Sequence, residues 1–165
     1  MEFKYNKHLE DTMNQLEDKG VFLTVKNKEN LNTMTIGWGF VGVMWNKPVF
    51  IAAVRYSRYT YEMLKNTDNF TVSIPLKGQM DKELIKCGTE SGRDLDKFDK
   101  YNIETIKSEK VDTPIIKDCD LHYECKIIYR QTLEAELINN EDIENKYKNN
   151  DYHVMVYGEI LSFHN

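Results

Sequence analysis

The sequence predicts a mainly β protein, an antiparallel, closed or nearly closed barrel with helices inserted between its strands. Three observations carry that expectation. Stretches of strand-like apolar patterning recur at 21–26, 32–45, 49–55, 69–74, 121–133 and 153–163, several of them alternating at period two. The polar turns Asn27-Lys28-Glu29-Asn30 and Asn46-Lys47-Pro48 join the first three of these runs, and links that short require antiparallel pairing. Many antiparallel strands with helices set between them point to a barrel rather than a parallel α/β sheet.

In chain order, His8 to Lys19 reads as an amphipathic helix, with Leu9, Met13 and Leu16 on one face and Gly20 just past its end, so it is expected as a peripheral cover. Three strands follow, and then a helix from Tyr59 to about Asn66 leads to the strand Asn69–Ile74, which Pro75 ends. Met80 to Lys86 is a short helix. Gly88 to Lys110 is polar, aperiodic and rich in charge, which reads as a long connection with a functional role. Leu121 to Leu133 is a long strand, Asp142 to Lys148 a short helix, and His153 to Phe163 the closing strand. The Lys- and Asn-rich stretch 139–150 reads as a solvated excursion.

With 165 residues, 41% of them apolar, the chain is expected to form one domain that buries about 70% of its unfolded surface. A net charge of −5 and a pI near 5.4 argue against a nucleic-acid surface. No apolar run approaches a membrane span, and the first residues lack the apolar segment of a secretion signal, so the expected location is the cytoplasm and no membrane contact is expected. Three cysteines without metal-type spacing fit reduced thiols. Cys119-x-x-His122-x-x-Cys125 is not expected to hold a metal, because an offset of three along a strand sends His122 to the face opposite both cysteines.

Two stretches carry candidate chemistry. If 32–40 is one extended strand, Met34, Ile36, Trp38 and Phe40 share a face, while Thr33, Thr35, Gly37 and Gly39 leave the other nearly bare. Either a flat ligand lies on that bare face, or the strand is bulged or tightly packed. At 55–60, an apolar strand runs through Arg55, Ser57, Arg58, Tyr59 and Thr60 into a helix. With Ser57 as N-cap this is an anion site suited to phosphate; the alternative is a capped surface helix with solvated arginines. A third stretch, Ser91-Gly92-Arg93-Asp94-x-Asp96-Lys97, offers backbone donors, cations and carboxylates. It is either part of a ligand site or a surface loop with local ion pairs, with Asp94 and Asp96 positioning the loop.

Together, Asn32-x-Met34-Thr35-Ile36-Gly37-Trp38, Arg55-x-Ser57-Arg58-Tyr59-Thr60 and Cys87-Gly88-Thr89-x-Ser91-Gly92-Arg93-Asp94-x-Asp96-Lys97-Phe98 resemble, in order, the motifs of the flavin reductase-like FMN-binding split-barrel family, which includes flavoredoxins and NAD(P)H:flavin oxidoreductases. A fourth element is His153 five residues before Gly158. The resemblance implies an FMN-binding split β-barrel of antiparallel Greek-key type, one domain over 1–165 with its N-terminal helix at about 8–19. It also implies a homodimer with flavin sites at or near the interface, and NAD(P)H-dependent reduction of flavin by hydride transfer. The alternative function is a flavoredoxin-like electron carrier reduced by a partner protein, without a nicotinamide site. A third possibility is a module for another phosphorylated aromatic ligand.

By the same resemblance, Asn32, Met34, Thr35, Ile36, Gly37 and Trp38 line the isoalloxazine. Arg55, Ser57, Arg58, Tyr59 and Thr60 hold the phosphate and ribityl chain, and Cys87, Ser91 and Gly92 wall the site. Lys97 is expected at the N1–C2=O2 edge, tuning the flavin with little effect on folding, and His153 is the candidate catalytic residue on the nicotinamide side. The chain departs from the family pattern at Tyr56, where Pro is common, and at Tyr152, which separates Asp151 from His153.

Overall fold

Local chemistry sets the element boundaries in the structure, a computed structural model describing residues 4–28 and 30–165. Helix α1 (Leu9–Asp18) buries Thr12 and Leu16, and Gly20 closes its last turn by donating to the Gln15 carbonyl at 2.8 Å. The strands are β1 (Val21–Asn27), β2 (Asn30–Ile36), β3 (Gly39–Met44), β4 (Lys47–Arg55) and β5 (Asn69–Ile74), with α2 (Tyr59–Leu64) between the last two. Helices α3 (Asp81–Thr89) and α4 (Lys97–Lys100) precede the two-residue strands β6 (Thr105–Ile106) and β7 (Ile115–Ile116). The long strands β8 (Leu121–Thr132) and β9 (His153–His164) flank the short α5 (Glu141–Glu144).

Seven strands form one antiparallel sheet in the order β2-β1-β5-β8-β9-β4-β3. The sequence-predicted strand 32–45 is therefore two strands, broken at Gly37-Trp38 and lying on opposite edges of the sheet. Burial shows the break: Met34 and Ile36 are 7% and 3% exposed, whereas Trp38 and Phe40 are each 45% exposed. Three residue steps from Ile36 to Gly39 span at most about 11 Å. Seven strands laid flat would hold those edges roughly 29 Å apart, so the sheet must curl until they meet. Past the break the chain joins β4 at once, Ala53 N–H donating to the Trp38 carbonyl at 3.1 Å just beyond the Gly39–Ala52 pair, and the result is a barrel with a split seam.

Other boundaries also move. The β3–β4 turn is Trp45-Asn46, with φ of +52° and +58°, and Lys47 already pairs with Met44; two left-handed residues match the twist of a tight hairpin. The predicted unstructured connection after Gly88 contains α4 and β6, and α4 is capped by Asp96, whose carboxylate accepts from the Phe98 and Asp99 N–H groups.

β1 is buried on both faces. Leu23 and Val25 face the barrel core with Phe50, Phe70, Val72, Tyr123 and Val156, while Phe22 faces a second cluster with Leu84, Cys87, Ile103 and Ile116 beneath α3. Cys119 packs in that outer cluster and Cys125 in the barrel core. Tyr123 ties α1 to the barrel through its hydroxyl, 3.0 Å from Thr12 Oγ1. Glu124 is fully buried, and burial pushes its carboxyl up. The His164 ring and the N–H groups of Glu109 and Lys110 outweigh that effect and leave the carboxyl below its ordinary range. Among the described residues no helix is long and apolar enough to cross a membrane.

Close packing at β9 generates one prediction. A Cβ at Gly158 would sit 2.5 Å from Phe70 Cζ and 2.6 Å from Cys125 Cβ. Gly158→Ala is expected to cost about 1–3 kcal/mol, read as a lower urea midpoint at unchanged m-value. A second prediction concerns pH. Burial pushes both His122 and His153 down to about 4. Unfolded histidine takes its proton near 6.5, so between those values the unfolded chain binds more protons than the folded one. Their contribution is complete above pH of about 6.5 and is lost as pH falls toward 4. Urea unfolding across that window should show the decline, and His122→Asn should make it shallower.

Candidate functional site

The end of β2, the β4–α2 corner and the α3–α4 connection converge on an open groove of two adjoining cavities, about 120 and 180 Å³. The first is polar and is lined by Asn32, Ser57, Arg58, Tyr59, Thr60, Cys87, Thr89, Glu90, Ser91, Gly92, Arg93 and Lys97. The second is lined by Thr35, Ile36, Gly37, Trp38, Ala53, Arg55 and His153. Met34 and Arg58 border both. The residues predicted to contact a ligand thus line one groove, in spite of lying up to 121 positions apart (Asn32 to His153).

The roles within that place differ from expectation. Ser57 does not cap α2; Arg58 occupies the cap position, without a side-chain cap bond. The Ser57 N–H and hydroxyl both donate to the Asp151 carboxylate, at 3.0 and 2.6 Å. Pairing of Arg55 with His153 between β4 and β9 brings Asp151 to the corner, where its carboxylate takes the Ser57 hydroxyl as a donor in a charge-assisted bond.

The three arginines divide the work. Arg55 donates to the carbonyls of Asp151 (2.7 Å) and Lys146 (3.1 Å) and lies over the Tyr147 ring. Arg93 donates to the Ser57 carbonyl at 3.2 Å, pairs with Glu62 and lies over Tyr59. Arg58 makes a single long contact, 3.4 Å to the Gly88 carbonyl, and has no carboxylate partner among the described residues. It is the guanidinium left for a ligand.

Asn32 turns its amide away from solvent to donate to Thr60 Oγ1 at 2.8 Å. A Cβ at Gly92 would fall 2.1 Å from Asn32 Oδ1 and 3.0 Å from the Tyr59 ring, so only glycine lets the 88–97 connection come this close. Of the face formed by Thr33, Thr35, Gly37 and Gly39, Gly37 stays exposed at the second cavity, while Thr33 and Thr35 are packed. Thr33 is buried against β1, and Thr35 donates to the Leu84 carbonyl at 2.6 Å beneath α3. Small residues here admit a helix.

Lys97 is buried, its ammonium donating to the carbonyls of Thr33 (2.9 Å) and Cys87 (2.8 Å). Burial lowers its pKa, with the Cys87 side opposing. The expectation that it leaves folding untouched is therefore corrected: Lys97 fastens α3 to β2, and one of its three N–H donors remains for the cavity. Burial pushes the Cys87 thiol up to about 11, which makes it a wall rather than a nucleophile. His153, buried at the start of β9, stands 4.8 Å from the Trp38 ring and 2.8 Å from the Tyr147 hydroxyl through Nδ1.

Sequence reasoning left Ala53, Thr89, Glu90 and Arg93 out of the site, although Thr89 and Arg93 stood inside a quoted motif. It also missed Tyr147 and Lys146, from the excursion read as solvated. Tyr147 is buried, and Lys146 Nζ lies 5.9 Å from the Trp38 ring centre. Tyr147 inside the Lys- and Asn-rich stretch, with Tyr152 just beyond it, was the available signal.

Comparison with known proteins accords with this geometry. A protein of Archaeoglobus fulgidus described only as uncharacterized is 32% identical over 107 residues, 65% of this chain and 59% of its own length; the match thus spans less than two thirds of that relative. A flavoredoxin from Methanosarcina acetivorans superposes with a TM-score of 0.67 at 28% identity, covering 88% of this chain and 68% of that one. An NADH:FAD oxidoreductase of Streptomyces globisporus, solved with NAD and FAD fragments, is similar in fold alone, with a TM-score of 0.64 at 22% identity over 88% and 74% of the two chains. Both neighbours are similar to this seven-stranded split barrel. The flavin reductase like domain model matches residues 13–165, and the chain belongs to that family.

Proposed function

We propose that the groove binds FMN and that the protein reduces flavin with NADH or NADPH as a transient co-substrate. The observation that carries this reading is the continuity of the groove, through Met34 and Arg58, from an end where Trp38 and Ile36 lie beside Arg55 and His153 to an end with Ser91, Arg58 and Arg93. FMN has the matching form, a flat ring joined by a polyol to a phosphate. Family membership and the 28% identity to a flavoredoxin support a flavin as the occupant.

When bound, FMN supplies a ring that accepts a hydride and passes it on. The chain's own residues do the rest. Arg58 and Ser91 hold the phosphate, with Arg93 bracing the corner through the Ser57 carbonyl. Trp38 and Ile36 provide a flat wall that excludes water, and the buried Lys97 places a positive charge beneath the polar cavity. Cys87 stays protonated and His153 neutral near pH 7, so neither competes as a redox or acid group.

In this reading the chain acts in the cytoplasm as one flavin-binding domain and as a homodimer. Val43, Met44 and Trp45 at the β3 edge and Phe40 beside the groove are exposed, and the Trp45 ring lies against Tyr129 and Tyr157. A second copy covering this edge would bury more than about 1,000 Å². An electron carrier reduced by a partner protein is the rival reading, favoured by the likeness to flavoredoxin.

Arg58→Ala is expected to weaken FMN by about 10- to 150-fold, the loss of one charge-assisted hydrogen-bonding group, and to leave riboflavin nearly unaffected, as isothermal titration with both ligands would read. Equal losses would remove the phosphate from this corner. The purified protein should oxidise NADH or NADPH when FMN is supplied; FMN binding without oxidation of either would decide for the carrier.

A further inference from the structure

Tyr147 ends the 3-10 turn Asn145–Tyr147 and lies buried beside the first residue of β9. Its ring stacks on Tyr152 at 4.9 Å and lies under the Arg55 guanidinium at 5.0 Å. Its hydroxyl is 2.8 Å from His153 Nδ1. The imidazole is held in turn by the Arg55–His153 strand pairing and by Trp38 at 4.8 Å.

A neutral imidazole carries one proton, so this hydrogen bond decides which nitrogen faces the groove. Among the described residues the phenol oxygen has no other hydrogen-bond partner, and a buried O–H requires an acceptor. Donation from the phenol to Nδ1 provides one. The reverse arrangement, with Nδ1–H donating, leaves the phenol proton unmatched. Nε2 then carries the ring proton, and it has no protein partner among the described residues in a side chain that lines the groove.

We propose that Tyr147 is a positioning residue that locks His153 as the Nε2–H tautomer, giving the groove a fixed neutral donor for a carbonyl oxygen of a bound ring. That oxygen belongs either to the flavin or to the carboxamide of a nicotinamide. The proposal rests on the flavin reading of the groove. The charged groups facing the imidazole are Arg55 and Arg58 at the β4 corner, which oppose its protonation, and Asp151 before β9, which favours it; burial is the larger influence and leaves the ring neutral near pH 7. Lys146, over Trp38, adds a further cation at the same mouth. His153 therefore donates a hydrogen bond without giving up a proton, and the profile of kcat/KM against pH should show no step from it near pH 6.5.

Nitrogen-15 spectra of histidine-labelled protein, recorded at neutral pH without flavin, read the tautomer directly. A protonated Nε2 with a bare, hydrogen-bonded Nδ1 is expected; a protonated Nδ1, or an even mixture, overturns the lock. Tyr147→Phe should release His153 into a mixture and cut transition-state stabilisation by about 3- to 10-fold, one neutral hydrogen bond's worth. A higher Kd for FMN in that variant assigns the acceptor to the flavin, and a higher KM for NADH assigns it to the carboxamide. A released tautomer with no change in Kd, KM or kcat overturns the role. Should Tyr147→Phe fail to fold, the spectrum of the unaltered protein still decides. The expected tautomer in a protein that takes up no FMN refutes the flavin reading while the lock stands, whereas the wrong tautomer in a protein that binds FMN refutes the lock alone.

Discussion

The hop from Ile36 to Gly39 is the constraint on which the rest of this structure depends. Because covalent connectivity ties the two edges of a seven-stranded sheet together, the sheet must close, and closure sets every other relation. It gives the barrel an interior for Phe50, Phe70 and Tyr123. It places the end of β2 next to the end of β4, which no local pairing would do. The groove is the gap where that closure is made by chain rather than by a full ladder of hydrogen bonds, so fold and site share one cause.

Most of the architecture was legible in the sequence because it is local. β5 was read at its observed bounds and β1, β4, β8 and β9 within a few residues, since strand pattern, turn residues and Pro75 all act over short range. The break at Gly37-Trp38 was illegible for an equally physical reason: large residues at 34, 36, 38 and 40 keep period two while the chain changes edge, and periodicity carries no information about which strand a segment pairs with. The small residues around Thr35 did signal close approach. Their occupant is helix α3, a choice that depends on where a segment some fifty positions later packs.

At the site, residue types were legible and partners were not. The motif residues converge as a set, but Ser57 answers to Asp151, 94 positions away, and Lys97 answers to two backbone carbonyls that have no sequence signature. Of the three arginines, geometry alone separates those committed to the protein from the one left over. A guanidinium has five donors in a fixed fork, so whichever carbonyls and carboxylates the fold brings near will claim it first.

Arg55 illustrates what that commitment does. By gripping the carbonyls of Lys146 and Asp151 with two nitrogens of one guanidinium, it acts as a non-covalent cross-link across the base of a short loop. Beyond the buried Tyr147, the chain between those grips is exposed, and the entropy of closing such a loop rises only slowly with its length, about 0.6 kcal/mol per doubling. Residues 148–150 can therefore be lengthened or replaced at small cost while Tyr147 keeps its place. In this fold the outer rim of the groove is free to diverge, because its base is held from the barrel side by Arg55 and Ser57.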